Sequence, residues 1–187
     1  LGAIDGAALK TIVITNAGGG AVTVGSLAAA TAVTSIDASA AAGATTSTGA
    51  SSVAAVTFKG GSKVDTYTAS AKGDSITGGA GADVITLGAG ADKLFYTAAA
   101  DSTAAAKDVV GGFNQTGDLI SFAASLQVGT AVYLGNAAFS ASAAKTQLRM
   151  NGADLEVDFG GDGAADLVVT LTGQTSATFG AANFTFA

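Results

Sequence analysis

Apolar residues along this chain fall in short β-branched runs, with no stretch of helical period. Between residues 1 and 58 the runs are Thr11-Ile12-Val13-Ile14, Ala21-Val22-Thr23-Val24, Val33-Thr34-Ser35-Ile36 and Val53 to Phe58. Gly or Ala/Ser/Thr stretches separate them at roughly ten to twelve residues, the spacing of short strands divided by turns. Regular short strands without helices predict a chain that winds forward as a β-solenoid. A low-complexity linker is the alternative, and the regular β-branched runs oppose it.

The pattern then tightens to a period of nine. Residues 60–95 read GGSKVDTYT, ASAKGDSIT, GGAGADVIT and LGAGADKLF. Asp recurs as Asp65, Asp74, Asp83 and Asp92, and an apolar side chain follows two places later as Tyr67, Ile76, Ile85 and Leu94. Asp101 extends the register once more without the glycines. In each unit six residues must turn sharply, which favours Gly where φ is positive, and three form a minimal strand with its apolar centre pointing inward. Two units make one coil, so turns eighteen residues apart stack, Asp65 beneath Asp83 on one flank and Asp74 beneath Asp92 on the other.

Beyond the repeats, DVVGGFNQTGDLISF (108–122) reads as strand, Gly-containing turn, strand. Residues 131–150 are mixed, with a short helix or turn expected over 137–148. DLEVDFGGDGAADLVVTLT (154–172) alternates on either side of a Gly/Asp turn and predicts a hairpin. The last six residues, 182–187, alternate again and would close the sheet. The expected fold is therefore all-β, a parallel β-roll or β-solenoid with a C-terminal β-sandwich-like cap. Three segments are expected: 1–58 as Ala/Thr/Val-rich solenoid, 59–122 as β-roll and 123–187 as cap.

Composition narrows the chemistry. The 187 residues include 27 Gly but no Cys, His, Trp or Pro. A thiol nucleophile, an imidazole base, a zinc site on Cys or His and a disulfide framework are all excluded. The net charge is −6, and eight scattered Lys and Arg residues make nucleic acid and anionic lipid poor partners. Mean hydropathy is +0.49, yet the apolar residues are dispersed and no run of about 18 could span a bilayer. Starting at Leu1 without a signal-peptide pattern, the sequence reads as the C-terminal piece of a longer protein.

Seven of the fourteen acids lie from Asp65 to Asp118, in register rather than scattered. Stacked carboxylates a strand spacing apart, about 4.8 Å, repel unless a cation lies between them. Carboxylates and turn carbonyls, with no nitrogen or sulfur donors, suit Ca²⁺, whereas Mg²⁺ demands a tighter octahedron. Gly60, Ser62, Gly78, Gly79, Ala80, Gly81, Gly88 and Gly90 are the turn positions expected to contribute alongside the four repeat aspartates. Partial sites are expected at the ends through Asp101 and Asp108. No catalytic constellation is visible, because acid/base work needs carboxylates in unlike environments. The 158–166 stretch superficially resembles an EF-hand loop, but Gly160 and Val169 stand where ligands belong, so a hairpin turn is expected.

GGAGADVIT and its neighbours resemble the RTX nonapeptide repeats of proteins exported by type I secretion. Downstream, residues 95–122, 137–150 and 156–173 are similar to the serralysin-type C-terminal β-roll domain. The resemblance covers residues 60–187. It implies several bound Ca²⁺ ions, with Asp101, Asp108 and Asp118 matching acids that follow the roll, and an uncleaved C-terminal export signal to which Phe184-Thr185-Phe186-Ala187 corresponds. Departures are Lys63 for a turn glycine, Gly112 where Asp is common, and Ser121 where a second acid often follows Asp118.

The segment ahead of the roll resembles strand-repeat regions of RTX-type bacterial surface-layer proteins and large adhesins. That resemblance implies a secreted, cell-surface structural protein, folding and assembling on external Ca²⁺. Its partners would be neighbouring copies in a lattice, the type I (ABC) secretion apparatus and surface polysaccharide. Two other readings stay open. One is the export domain of a hydrolase whose catalytic part lies upstream. The other is an adhesin or carbohydrate-binding module using Tyr67, Tyr96 and Tyr133 as sugar platforms.

Overall fold

The structure, a computed structural model, describes residues 8–24, 30–141 and 144–187. Sixteen short strands among them form two sheets that face each other across one core. The odd-numbered strands of the coil build one sheet: β1 (Thr11–Val13), β3 (Ser35–Asp37), β5 (Thr57–Lys59), β7 (Ser75–Thr77), β9 (Lys93–Tyr96) and β11 (Leu119–Phe122). The even-numbered ones build the other: β2 (Val22–Thr23), β4 (Thr45–Thr48), β6 (Thr66–Thr68), β8 (Val84–Thr86) and β10 (Asp108–Gly111). All these strands pair in parallel, each with the strand two places on, as a right- or left-winding coil requires.

Each strand of the roll contributes mainly its central side chain to the interior. Ile12, Ile36, Phe58, Ile76, Leu94 and Ile120 lie opposite one another in the first sheet. Ser47, Tyr67, Ile85, Val110 and Leu171 do so in the second. The sheets meet where the rings of Phe58 and Tyr67 stack at 4.2 Å with 8° between their planes. A core this thin needs one large side chain per strand, each worth roughly 1.5–3 kcal/mol when fully buried. A chain so rich in Ala, Gly and Thr can meet that requirement.

Coil length shortens into the repeats and lengthens again after them, to 26 residues from Lys93 to Leu119. Thr11 lies opposite Ser35 and Ser35 opposite Thr57, coils of 24 and 22 residues; Thr57 lies opposite Ser75 and Ser75 opposite Lys93, coils of 18. The eighteen-residue stacking expected from the nonapeptides is therefore present. Strand β4 is an addition to the expected set. Its Thr-Thr-Ser-Thr sequence carries no apolar inward residue to announce it, and Thr45 and Ser47 take the buried positions.

The C-terminal segment extends both sheets. Strands β13 (Gln147–Asn151), β14 (Asp154–Asp158) and β15 (Leu167–Leu171) form an antiparallel meander, and β15 lies parallel to β10. The two-residue β12 (Val132–Tyr133) adds the outer edge. The hairpin expected over 154–172 is β14–β15. Strand β16 (Phe184–Phe186) closes the first sheet against β11, as the alternation at the terminus suggested.

Over 137–148, expected as a short helix or turn, Ala141 lies in a turn and 144–145 bend, while the end of the stretch is strand. Gln147 and Leu148 belong to β13, and no described residue of the stretch is helical. Thr146, Gln147, Leu148 and Met150 are all buried, so both faces of β13 are covered and its alternation is masked. Among the described residues no helix is long and apolar enough to cross a membrane.

Candidate metal centre

The turns of the roll stack in two rows, one on each flank. The first row holds turns 60–65 and 78–83, then the longer connection from β9 to β10. The second holds turns 69–74 and 87–92, then the connection from β10 to β11. Glycine permits this stacking because successive turns touch backbone to backbone. A Cβ on Gly81, whose φ is +139°, would lie 2.8 Å from the carbonyl oxygen of Lys63. One on Gly90, at φ +115°, would lie 2.7 Å from the amide nitrogen of Gly73. The Lys63 side chain points to solvent at an exposed position, so the turn accommodates it.

Every ladder aspartate is buried at the end of its turn: Asp65, Asp74, Asp83, Asp92, Asp108 and Asp118 are all 3% exposed or less. Each presents Oδ1 to the backbone amide of the coil below. Asp65 Oδ1 accepts from Thr45 N at 2.6 Å, Asp83 Oδ1 from Asp65 N at 2.8 Å, and Asp108 Oδ1 from Asp83 N at 2.8 Å. On the other flank Asp74 Oδ1 accepts from Val56 N at 2.8 Å, Asp92 Oδ1 from Asp74 N at 2.7 Å, and Asp118 Oδ1 from Asp92 N at 2.8 Å. Stacked aspartates are thus joined through an intervening amide, a link that the spacing alone did not reveal.

The second oxygen differs from turn to turn. Asp65, Asp74, Asp92 and Asp118 each direct Oδ2 to the amide four residues earlier, on Gly61, Ser70, Gly88 and Asn114. Asp108 Oδ2 accepts from the Tyr96 hydroxyl at 3.0 Å. Asp83 Oδ2 is buried and has no hydrogen-bond partner among the described residues. Asp101 is not a rung of the ladder but lies near it, its charge acting on Asp83 and Asp108, in a 3-10 turn where Oδ2 accepts from Thr97 N, Thr97 Oγ1 and Ala98 N.

Oxygens crowd the space beside Asp83. A Cβ on Gly60 would collide with the Gly78 carbonyl oxygen and lie 2.6 Å from Asp65 Oδ2. On Gly79, at φ +93°, it would collide with the Gly61 carbonyl oxygen and lie 3.2 Å from that of Gly60. On Gly78 it would collide with Asp83 Oδ2 itself. Carbonyl and carboxylate oxygens therefore share a pocket of backbone into which no side chain fits. Ser62 and Ala80 are at the outer tip, where Ala80 N donates to the Gly61 carbonyl at 3.1 Å. Gly88 and Gly90 belong to the opposite flank, above Ser70 and Lys72.

No three carboxylates come together among the described residues, so an ion in these turns would take most of its ligands from the backbone. The ion pairs among those residues, Lys107–Asp154 and Arg149–Glu156, leave the ladder aside. An all-oxygen donor set with an unpartnered buried carboxylate oxygen fits a hard cation such as Ca²⁺.

A family model described as Peptidase M10 serralysin C terminal matches residues 59–181. The chain belongs to this family. No curated protein matches the chain. The serralysin C-terminal domain is a β-roll, as the two coiled sheets here are, and the family binds Ca²⁺. It is the non-catalytic C-terminal portion of type I-secreted proteins, so this chain is a calcium-binding RTX-type module of a secreted protein.

Burial without a cation shifts the ladder's acidity. Desolvation, followed by neighbouring Asp charges, pushes Asp83 up to about 7 and Asp92 up to about 6, and raises Asp108 to about 7. Unfolded carboxyls titrate near 3.9, so folding of the metal-free chain takes up protons. Its stability is greatest below about pH 4 as far as these groups are concerned, and is lost as pH rises through 6 to 7. Asp37 and Asp154 have lowered pKa values and stay charged over this window. In chelator the melting temperature should therefore be higher at pH 5 than at pH 8, and in saturating Ca²⁺ the order should reverse as protons compete with the ion. A chelated chain that melts higher at pH 8 would contradict this.

The remaining acids and tyrosines have structural places. Asp158 accepts from Gly161 N and Gly163 N, and Asp166 from Phe159 N, which ties off the hairpin and agrees with the rejection of an EF-hand there. Tyr67 and Tyr96 are buried inside the roll, which removes two of the three proposed sugar platforms. At Gly112 the backbone has φ +80° and a Cβ would lie 2.7 Å from the Leu87 carbonyl oxygen. An Asp at that position would be strained. The structure also brings in Ser70 and Ser102, which sequence reasoning passed over, and turns the Tyr67 and Tyr96 hydroxyls onto Asp74 and Asp108. Ser70 could have been found as the serine standing where the repeat has its second glycine.

Proposed function

We propose that this chain is the calcium-dependent folding and assembly module of a bacterial surface-layer protein, exported unfolded and folded outside the cell. The observation that carries the reading is the ladder of buried aspartates, which among the described residues forms no ion pair with a cationic side chain and leaves Asp83 Oδ2 without a partner. The carboxylates of Asp83 and Asp65, with the carbonyls of Gly60, Gly61 and Gly78, are the residues we assign to the ion. Bound Ca²⁺ supplies the positive charge that these oxygens otherwise lack. The chain's own part is to hold the turns in register through the amide ladder and to keep side chains out of the space between them.

Coupling of ion to fold explains the order of events. At low cytosolic calcium the buried carboxylates oppose folding, so the chain stays exportable by the type I apparatus, which would engage the C-terminal strand. Outside, affinities of about 10⁻⁴–10⁻³ M are enough for an extracellular module to load. The surface-layer assignment is supported by the Thr- and Ala-rich strands β1–β5, which continue into the same two sheets as the repeats. Stacked coils present regular faces that suit packing against neighbouring copies.

Sedimentation velocity and electron microscopy of the purified chain test this reading. Monomers in chelator that convert to two-dimensional sheets when millimolar Ca²⁺ is added are expected. A folded chain that stays monomeric at all calcium concentrations would overturn the surface-layer reading and leave an export module of another secreted protein.

A further inference from the structure

The two flanks of the roll are not chemically equivalent, and the difference lies in the second repeat. Where the third repeat has Gly78-Gly79, the second has Ala69-Ser70. Ser70 donates twice to Asp74, its amide to Oδ2 at 2.6 Å and its hydroxyl to Oδ1 at 2.7 Å. The Tyr67 hydroxyl, reaching through the core, donates to Oδ2 at 3.3 Å, and Val56 N donates to Oδ1 at 2.8 Å. Asp74 therefore accepts four hydrogen bonds, while Asp83 accepts one, from Asp65 N. An ionised carboxylate offers about four lone-pair sites, so Asp74 is saturated by the chain itself.

Ser70 also closes the outer side of the turn. Its hydroxyl accepts from Lys72 N at 3.0 Å, which pins the loop that would otherwise be free to open. Its carbonyl oxygen lies against Gly88 of the coil above, where no side chain could intervene. Displacing these donors for an ion would trade formed, buried hydrogen bonds for metal contacts. At Asp83 Oδ2 there is nothing to displace.

We infer that the roll carries a cation-dependent turn and a cation-independent one on its two flanks: Asp83 is the acceptor that demands the ion, and in the 69–74 turn the Ser70 hydroxyl and Tyr67 phenol take the ion's place. This rests on the calcium reading above and narrows it, because the nine-residue register alone puts Asp74 on equal terms with Asp83. The closed 69–74 turn gives the roll one corner that forms without metal. The turn at 78–83 completes the coil when the ion arrives.

Calcium titration calorimetry on the full chain and on Asp83→Asn, Asp74→Asn and Ser70→Ala tests the inference. Asp83→Asn should lose one ion per chain or weaken the tightest site at least about 10-fold, since losing even an outer-shell partner costs that much. Asp74→Asn should keep the parent stoichiometry, with the tightest affinity unchanged to within about two-fold, as expected of a residue that shares no ligand with it. Ser70→Ala keeps the experiment decisive if Asp74→Asn does not fold. It should leave stoichiometry unchanged and lower the melting temperature in chelator by about 2–4 °C. Loss of an ion in Asp74→Asn, tighter binding in Ser70→Ala, or an undiminished site in Asp83→Asn would each overturn the inference while leaving calcium binding intact. A parent chain that binds no calcium would overturn both.

Discussion

Withdrawing calcium from about 10 mM is expected to lower the stability of this chain by at least about 2.7 kcal/mol, the contribution of one site of about 10⁻⁴ M affinity held at 100 times its dissociation constant. Small domains are stable by only about 5–15 kcal/mol in total, so this loss alone is a large fraction of it. The reason lies in the ladder. Asp65, Asp83 and Asp108 are buried one above another, with a single amide between successive carboxylates and no ion pair to Lys or Arg among the described residues. Denaturant titrations in calcium and in EGTA, read by circular dichroism, measure the difference. Equal midpoints in the two buffers would remove calcium from the account of the fold.

Phe122→Ala should destabilise the chain by about 3–5 kcal/mol, the range for deleting a buried aromatic ring. The side chain has no exposed surface and lies where the roll meets the closing strands. Its ring is 6.0 Å from that of Tyr96, 5.8 Å from Phe159 and 5.2 Å from Phe186. One residue therefore joins β9, β11, the hairpin and β16. The cavity would be shared among four elements whose backbones are fixed by sheet hydrogen bonds, so collapse cannot fill it. Thermal melts in saturating calcium should show a drop of about 10 °C, and a change under 2 °C would show that the roll does not need this junction.

The repeats were the most legible part of the chain. Tyr67, Ile76, Ile85 and Leu94 each sit at the buried centre of a strand, because a three-residue strand has only one inward position and the nonapeptide fills it every time. The hairpin and the closing strand were legible for the same reason, through period-two alternation. Strand β4 was hidden because Thr45 and Ser47 are inward without being apolar. The parallel pairing of β10 with β15 joins Asp108 to Val169, a long-range contact that no local pattern encodes.

At the site, the spacing located Asp65, Asp74, Asp83 and Asp92, and the resemblance added Asp108 and Asp118, but neither could rank them. Rank depends on who donates to Oδ2, and that is decided by single residues such as Ser70 and by phenols arriving from another strand. Asp101 shows the limit of register reasoning most plainly. It keeps the nine-residue spacing, yet without glycines the chain forms a 3-10 turn and the carboxylate caps its own backbone. Periodicity places a side chain along the coil; the turn's φ values determine whether it faces the next one.

The ladder itself offers the most direct measurement, because the amides of Asp65 and Asp83 donate to the carboxylates of the next coil. Hydrogen exchange at those two amides, followed in calcium and in EGTA, reports whether the ion holds the turns together. Protection that falls by a factor on the order of 100 on chelation from about 10 mM calcium, matching the mass-action stabilisation of one site, is the predicted result. Protection that is the same in both buffers would contradict a calcium-held roll.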